Sequence, residues 1–462
     1  MNQMFNLFTK IYPSKKTFFL VFMLFGLTLS VCSCGKEKKE TQSHDSIGAQ
    51  KEKSVPKKFP DRVTLEEFPS WLSDYLKSRE WKNYERNNKM TREDLEKSFS
   101  MGKQFLINNQ KPGGSFNYQY NFVTRVMDKG DNQVRQAGAL WGLALIYQYQ
   151  HEPETKFALD KALKFFFNHT QNGPVEGSLL IAYPGDSYCK TGTVALVGLA
   201  IIEYLRTEKS GDVKLAGEYR EELISKLNGY IEFLKFMHLK NGHFSSDYSL
   251  IDGAKGGDFN PYFDGEVLLC LTKAAKYLGY KNLIPLIEDS ALAMAKFYTV
   301  DQWRNNPDSF LTKGFFQWSC MAFWEYQDAG WKNSEVFGDY VLALSWWMIH
   351  THRTLERTRN TAYAYEGIIP ALLVAKSRQH DAAINDLSNT IDIALYKLTT
   401  WQVGGPLLTQ NEFLMANQTS DPLAVGGIMN HSNVPLLRID VTQHQMHAVS
   451  LALKYLYTSQ EL

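Results

Sequence analysis

The sequence predicts an all-α fold in which six inner and six outer helices alternate around a closed ring, an (α/α)6 toroid. Three observations predict it. From Leu95 onward, apolar residues recur at the i, i+3, i+4 spacing of a helix, with little of the alternation of a strand. Two kinds of segment take turns along the chain, one amphipathic and charge-rich, the other apolar or small on most sides. A helix apolar all round belongs inside, whereas an amphipathic one keeps a face in solvent. Finally, several outer segments are followed by a loop that sets Gly beside an aromatic residue.

Ahead of the ring, Lys10, Lys15 and Lys16 precede an apolar run over 17–29. That run has the length of a signal-peptide core and is short of the roughly 20 residues of a membrane span. It ends in Val31-Cys32-Ser33-Cys34, which resembles the lipobox of a bacterial lipoprotein signal peptide, with small Ser33 just before the cleavage point. Leu29-Ser30-Val31-Cys32 fits less well, because Val31 is bulky at that point, and the choice between Cys32 and Cys34 stays open. The resemblance implies that Cys34 becomes the lipidated first residue, and several acyl chains on one Cys give durable membrane attachment. Gly35 in place of an Asp leans towards the outer membrane. Residues 36–58, rich in Lys, Glu, Ser and Gln without an aromatic, read as a solvated tether. The organisation is therefore signal peptide over 1–33, tether over 34–60 and toroid domain over 61–462.

Outer helices are expected over 92–108, 154–170, 212–238, 282–299, 334–351 and 381–400, and inner ones over 133–149, 191–207, 265–278, 318–327, 365–377 and 442–457. The loops Gly113-Gly114-Ser115-Phe116, Asn241-Gly242-His243-Phe244, Lys313-Gly314-Phe315-Phe316 and Gly404-Gly405 supply glycines that can take the left-handed conformation ending a helix. An open solenoid is the competing architecture, but solenoid repeats are shorter and more uniform than these intervals.

Composition narrows the function. Lys and Arg number 50 against 49 Asp and Glu, which excludes a broad basic surface for nucleic acid. Five cysteines exclude a disulfide-stapled scaffold, and Cys189, Cys270 and Cys320, set among apolar or small residues, read as buried free thiols. Aromatic residues reach 13%, and many precede inner helices, where they would line one mouth of the ring.

The helix alternation and Gly-aromatic loops over 90–462 resemble the six-hairpin and α/α-toroid proteins at superfamily level. That group includes glycoside hydrolases, polysaccharide lyases and sugar epimerases, and also terpene cyclases and prenyltransferases. The likeness implies the fold, and no single-family catalytic signature accompanies it.

In a toroid, the loops entering the inner helices line one mouth, so candidate residues cluster there. Glu266 and Glu366 lie a little inside apolar helices, where a carboxylate needs a partner. With Asp440 they are the candidates for acid, base or nucleophile, since glycoside hydrolysis needs one protonated and one ionised carboxyl. Arg135 and Arg438 would bind charge. Asp186, Tyr188, Asp264, Trp318, Tyr365 and His444 would bind substrate, because flat rings stack on sugar faces and fixed polar groups take the hydroxyls. For Asp131, Asp264 and Asp440 the commoner role of an acid at a helix start is capping. Tyr and His near a cationic clamp suit a lyase or epimerase instead, which removes a proton next to a carboxylate. His444 and His447 share a helix face, but neither His-Glu-x-x-His nor Cys-x-x-Cys occurs, so no metal and no cofactor is expected.

The expectation is thus an exported, lipid-anchored enzyme of the bacterial envelope that acts on a carbohydrate by hydrolysis, elimination or epimerisation, the substrate being an acidic or envelope polysaccharide. Its partners would be a carbohydrate or other small polar ligand and the membrane, but not nucleic acid. The alternative is a non-catalytic lipoprotein whose mouth holds a glycan or peptide. A third class, an isoprenoid-handling toroid, would need a dry aromatic cavity or zinc.

Overall fold

A computed structural model describes residues 63–458, apart from 83, 86, 87 and 210–213. The signal peptide, the tether and both Cys32 and Cys34 lie outside the described residues. Helix α1 (Phe68–Lys77) precedes the ring. Outer α2 (Arg92–Asn108) leads to inner α3 (Gln133–Tyr149), outer α4 (Pro153–Asn168) to inner α5 (Thr191–Lys209), and outer α6 (Gly217–Phe236) to inner α7 (Pro261–Leu278). Outer α8 (Ile284–Lys296) then leads to inner α9 (Phe310–Asp328), outer α10 (Ser334–His350) to inner α11 (Ala362–Ser377), and outer α12 (Asp381–Thr399), by way of the short α13 (Glu412–Ala416), to inner α14 (Ile439–Tyr455).

Each inner helix packs on the next, and α14 packs back on α3, so the ring is closed. The burial patterns explain the sorting. Every residue of α3 from Gln136 to Tyr147 is buried, which leaves no face for water. Outer α2 buries only one stripe, including Leu95, Phe99, Phe105 and Leu106, and rests on α14. No helix of the described residues is long and apolar enough to cross a membrane.

Three short antiparallel sheets shape the mouth. β1 (Gln119–Asn121) lies between β2 (Val126–Met127) and β7 (Leu436–Arg438), with Gln119 opposite Arg438, so the loop before the first inner helix is stitched to the strand before the last. β3 (Thr170–Asn172) pairs with β4 (Leu179–Ile181), and β5 (Tyr188–Lys190) with β6 (Asp247–Ser249). Side-chain caps set where inner helices begin: Asn132 accepts from the Arg135 amide at 3.1 Å, Asn260 from the Tyr262 amide at 2.9 Å and Ser309 from the Leu311 amide at 3.2 Å.

The structure corrects two readings of local sequence. Inner helices α7, α9, α11 and α14 begin three to eight residues before their expected starts at 265, 318, 365 and 442. Lys313-Gly314-Phe315-Phe316 is not a helix-ending loop but the first part of α9. Gly114, Gly242 and Gly404 do adopt positive φ. Gly314 is instead helical, and a Cβ there would meet Pro261 Cγ at 2.8 Å, so its bareness lets α9 approach α7. Cys189, Cys270 and Cys320 are buried free thiols.

Candidate active site

The first turns of the inner helices enclose a cavity of about 820 Å³ at the mouth of the ring. Arg135 comes from α3, Leu196 from α5, Glu266 from α7, Gln317 and Trp318 from α9, Tyr363 from α11, and Asp440, Gln443 and His444 from α14. All six inner helices therefore direct their N-terminal ends to one space, where their dipoles add positive potential.

On the α11–α14 side, a histidine is held by a carboxylate. Glu366 is fully buried and does not line the cavity itself. Its Oε2 accepts from Gln317 Nε2 at 2.9 Å and meets His444 Nδ1 at 3.0 Å, and its Oε1 meets His447 Nδ1 at 2.8 Å. Burial works to raise the Glu366 carboxyl, but His444 and His447 outweigh it and hold the group below the usual range. An ionised carboxylate makes both Nδ1 atoms donors. Burial works to lower the His444 imidazole, and Glu366 outweighs it in turn, so His444 titrates above its ordinary value. With Nδ1 committed, Nε2 is the nitrogen His444 has for a ligand, and His444 lines the cavity. The Trp318 ring stands edge-on to it at 6.3 Å.

Three places around the six-helix ring, on α7, Glu266 faces the same cavity. It is 3% exposed, and its Oε2 has no hydrogen-bond partner among the described residues. Burial pushes its carboxyl up to about 8, so it stays protonated at neutral pH. Gly192 on α5 makes room for it, since a Cβ there would stand 2.3 Å from Glu266 Oε2. Gln443 also lines the cavity, and its Nε2 likewise lacks a partner among the described residues. A free carboxyl oxygen and a free amide N–H so placed are what a hydroxyl-bearing ligand would satisfy.

Asp440 is differently placed. It accepts from Arg438 Nε and Nη2, both at 2.8 Å, and pairs with Arg135 Nε at 3.2 Å. Arg135 also donates to the Tyr118 hydroxyl and lies over that ring. Burial works to lower the Arg438 guanidinium, and Asp440 outweighs it, so it lies above its ordinary value. The two arginines thus pair with Asp440, whereas sequence reasoning aimed them at a substrate anion.

Other candidates separate. Trp318, Arg135, Arg438 and His444 line the main cavity with Glu266 and Asp440. Asp186 and Tyr188 line an adjoining pocket of about 460 Å³, which shares Asn132, Val134, Asn260 and Phe263 with the cavity. Asp264 lies away from both. It is fully buried and accepts from the Phe244 amide at 2.8 Å and the Tyr298 hydroxyl at 2.7 Å, with His243 Nδ1 at 2.6 Å, so it locks a loop to α7 rather than meeting a ligand. Tyr365 is also fully buried, on the part of α11 that packs within the ring, and does not reach the cavity. Sequence reasoning passed over Lys313, His352 and Arg357, all of which line the cavity. Among the described residues no group of three or more His, Cys, Asp or Glu could hold a metal ion.

Solved structures share this architecture. A sugar epimerase from a ruminal bacterium aligns with a TM-score of 0.51 at 13% identity, over 79% of this chain and 99% of that one. D-mannose isomerase aligns with a TM-score of 0.54 at 12% identity, over 78% and 97%. Cellobiose 2-epimerase from Bacillus thermoamylovorans B4167 aligns with a TM-score of 0.51 at 10% identity, over 82% and 99%. No protein-family model and no curated protein sequence matches the chain. The chain has the α/α-toroid fold of these solved structures.

Proposed function

We propose that the protein is a carbohydrate-acting enzyme that moves a proton at the carbon beside a sugar's carbonyl, and so epimerises or isomerises its substrate. The observation that carries this reading is one cavity lined by two complementary groups: His444, held by Glu366, and Glu266, a carboxyl still protonated at neutral pH. In the open-chain sugar, neutral His444 takes the proton from carbon. The C–H electrons form the C=C bond of an enediol, and the carbonyl oxygen takes the proton of Glu266. Return of a proton to the other face of that carbon, while the first enediol O–H gives its proton back to Glu266, inverts the centre; return to the former carbonyl carbon, while the neighbouring O–H gives its proton to Glu266, isomerises the sugar. The same-fold sugar epimerases and isomerase support this class of substrate and reaction. Hydrolysis would need a second carboxyl at the bond. Glu366 is spent on two histidines and Asp440 on two arginines, so neither stands free beside Glu266. The test is a panel of reducing mono- and disaccharides, with products separated by chromatography. Epimers or isomers should form, and His444→Gln should slow them by about 10²–10⁴-fold. Hydrolysis products alone would refute the reaction, and binding without turnover would favour a glycan-binding protein.

We further propose that the chain is exported and lipid-anchored through Cys34 in a bacterial envelope. The charged start, the 17–29 core and Val31-Cys32-Ser33-Cys34 support this. Cys34→Ala should move the protein from the membrane fraction to the soluble one. Unchanged fractionation, with no acyl mass on the N-terminal peptide of the wild type, would refute it.

A further inference from the structure

We infer that the sugar held in this cavity carries an anionic group, a carboxylate or a phosphate ester, and that Lys313 and Arg357 receive it. The inference rests on the reading of the cavity as a sugar site and adds the charge of the substrate. Five Lys and Arg side chains line the cavity, Arg135, Lys313, Arg357, Arg359 and Arg438, against two carboxyls, Glu266 and Asp440. Burial keeps Glu266 neutral, and Asp440 answers Arg135 and Arg438. Of the other three, Arg357 pairs with Asp308 at 2.9 Å, whereas Lys313 and Arg359 form no ion pair with a carboxylate among the described residues, so two cations of the cavity wall stand unanswered.

Lys313 is the pointed case. It sits in the first turn of α9, which holds no acidic residue, and a cation there opposes the helix dipole. Helix stability therefore does not explain it. Its Nζ donates to the Tyr262 hydroxyl at 3.0 Å and lies 4.4 Å from the centre of the Tyr363 ring. These contacts hold an ammonium in place without neutralising it. Among the described residues no carboxylate pairs with Lys313. Arg357 is fixed by the His352 carbonyl at 2.8 Å and by Asp308 at 2.9 Å through Nη2, which leaves Nη1 without a hydrogen bond among the described residues. Burial, with Arg357 and Lys313 adding to it, outweighs Asp308 and keeps the His352 imidazole below its ordinary value. Arg135 of α3 and Arg438, the last residue of β7, are bound to Asp440, so the anion's place is the α9 side, across the ring from α3.

The test is calorimetric titration of the full-length protein with matched sets of neutral hexoses, hexuronates and hexose phosphates, at low and raised salt. At least one anionic set should bind about tenfold tighter than its neutral parent, the yield of one charged hydrogen bond. Salt should erode that advantage. Lys313→Gln and Arg357→Gln should each remove about tenfold from the anionic affinity and leave the neutral one in place. Preference for hexuronates assigns a carboxylate, and preference for hexose phosphates assigns a phosphate ester. Neutral sugars bound as tightly as both anionic sets would overturn the inference while leaving the sugar reading intact. So would a folded Lys313→Gln that keeps the full preference. Should either variant fail to fold, the charge preference of the wild type and its salt dependence still decide. Binding of no sugar of any set would overturn both the sugar reading and this inference.

Discussion

At the scale of single residues, Glu266 and Glu366 show how identical side chains become opposites. Both lie inside apolar stretches, and that made them legible as candidates: a carboxyl there must find a partner or give up its charge. Glu366 finds His444 and His447 and ionises, while Glu266 finds none and stays protonated. The sequence could not show which was which, because the histidines lie 78 and 81 residues from Glu366 along the chain. Lys313, His352 and Arg357 were invisible for a similar reason, since nothing in their local pattern marks a cavity wall. The Glu266 carboxyl stands at about 8 when folded against 4.5 as the ordinary value. A raised acid leaves the folded state at full stability below about 4.5, and that stability is lost as pH rises through the window to about 8. Glu266→Gln removes the loss, so it should melt higher than wild type at pH 7–8 and alike near pH 4, while its turnover collapses. The wild-type rate should follow a bell, rising as His444 loses its proton above pH 6.5 and falling as Glu266 ionises near 8. A variant of unchanged melting temperature at pH 8, or a rate still rising past pH 9, would contradict this.

At the scale of elements, the alternation of amphipathic and apolar segments identified all twelve ring helices. What failed was the start of several inner ones. Gly314 has the local pattern of a helix breaker, yet it is a contact surface facing Pro261. Local propensity and close helix approach favour the same residue, and only the fold says which applies. Gly265 is the clearest member of this class: a Cβ there would stand 2.4 Å from Trp318 Cβ, where α7 meets α9 beside the cavity. Gly265→Val should therefore cost about 1–3 kcal/mol through overpacking. Chemical denaturation would show this as a lower midpoint at unchanged slope, and an unchanged midpoint would mean that the two helices do not touch there.

At the scale of the whole molecule, the two ends of the ring differ. The N-terminal ends of the inner helices gather the cavity residues. Near their C-terminal ends, a buried charge network ties three of them: Glu203 of α5 with Lys273 of α7, and Lys273 and Lys276 with Glu325 of α9. Burial works to raise Glu325, but Lys273, Lys276 and Arg206 outweigh it and bring it to about 2. A depressed acid gives stability that is complete above about 4.5 and lost as pH falls towards 2. Lys273→Met leaves Glu203 with Arg206 and Glu325 with Lys276 but removes the cation the two carboxylates share, so it should cost about 1–3 kcal/mol at pH 7 and progressively less below pH 4.5. Equal melting of variant and wild type at pH 7 would remove the network from the account. Closure of the ring was legible only as a count of six and six, since the pairing of Gln119 with Arg438 joins segments too distant in sequence for any local pattern to announce. The central claim, that His444 and Glu266 move a proton on a sugar carbon, has a direct measurement. The full-length protein would be incubated with reducing sugars in D₂O and followed by proton NMR. Deuterium should enter at the carbon beside the carbonyl of the substrate or its epimer, and none should enter with Glu266→Gln or His444→Gln. Conversion of a sugar without any deuterium entering that position would contradict it.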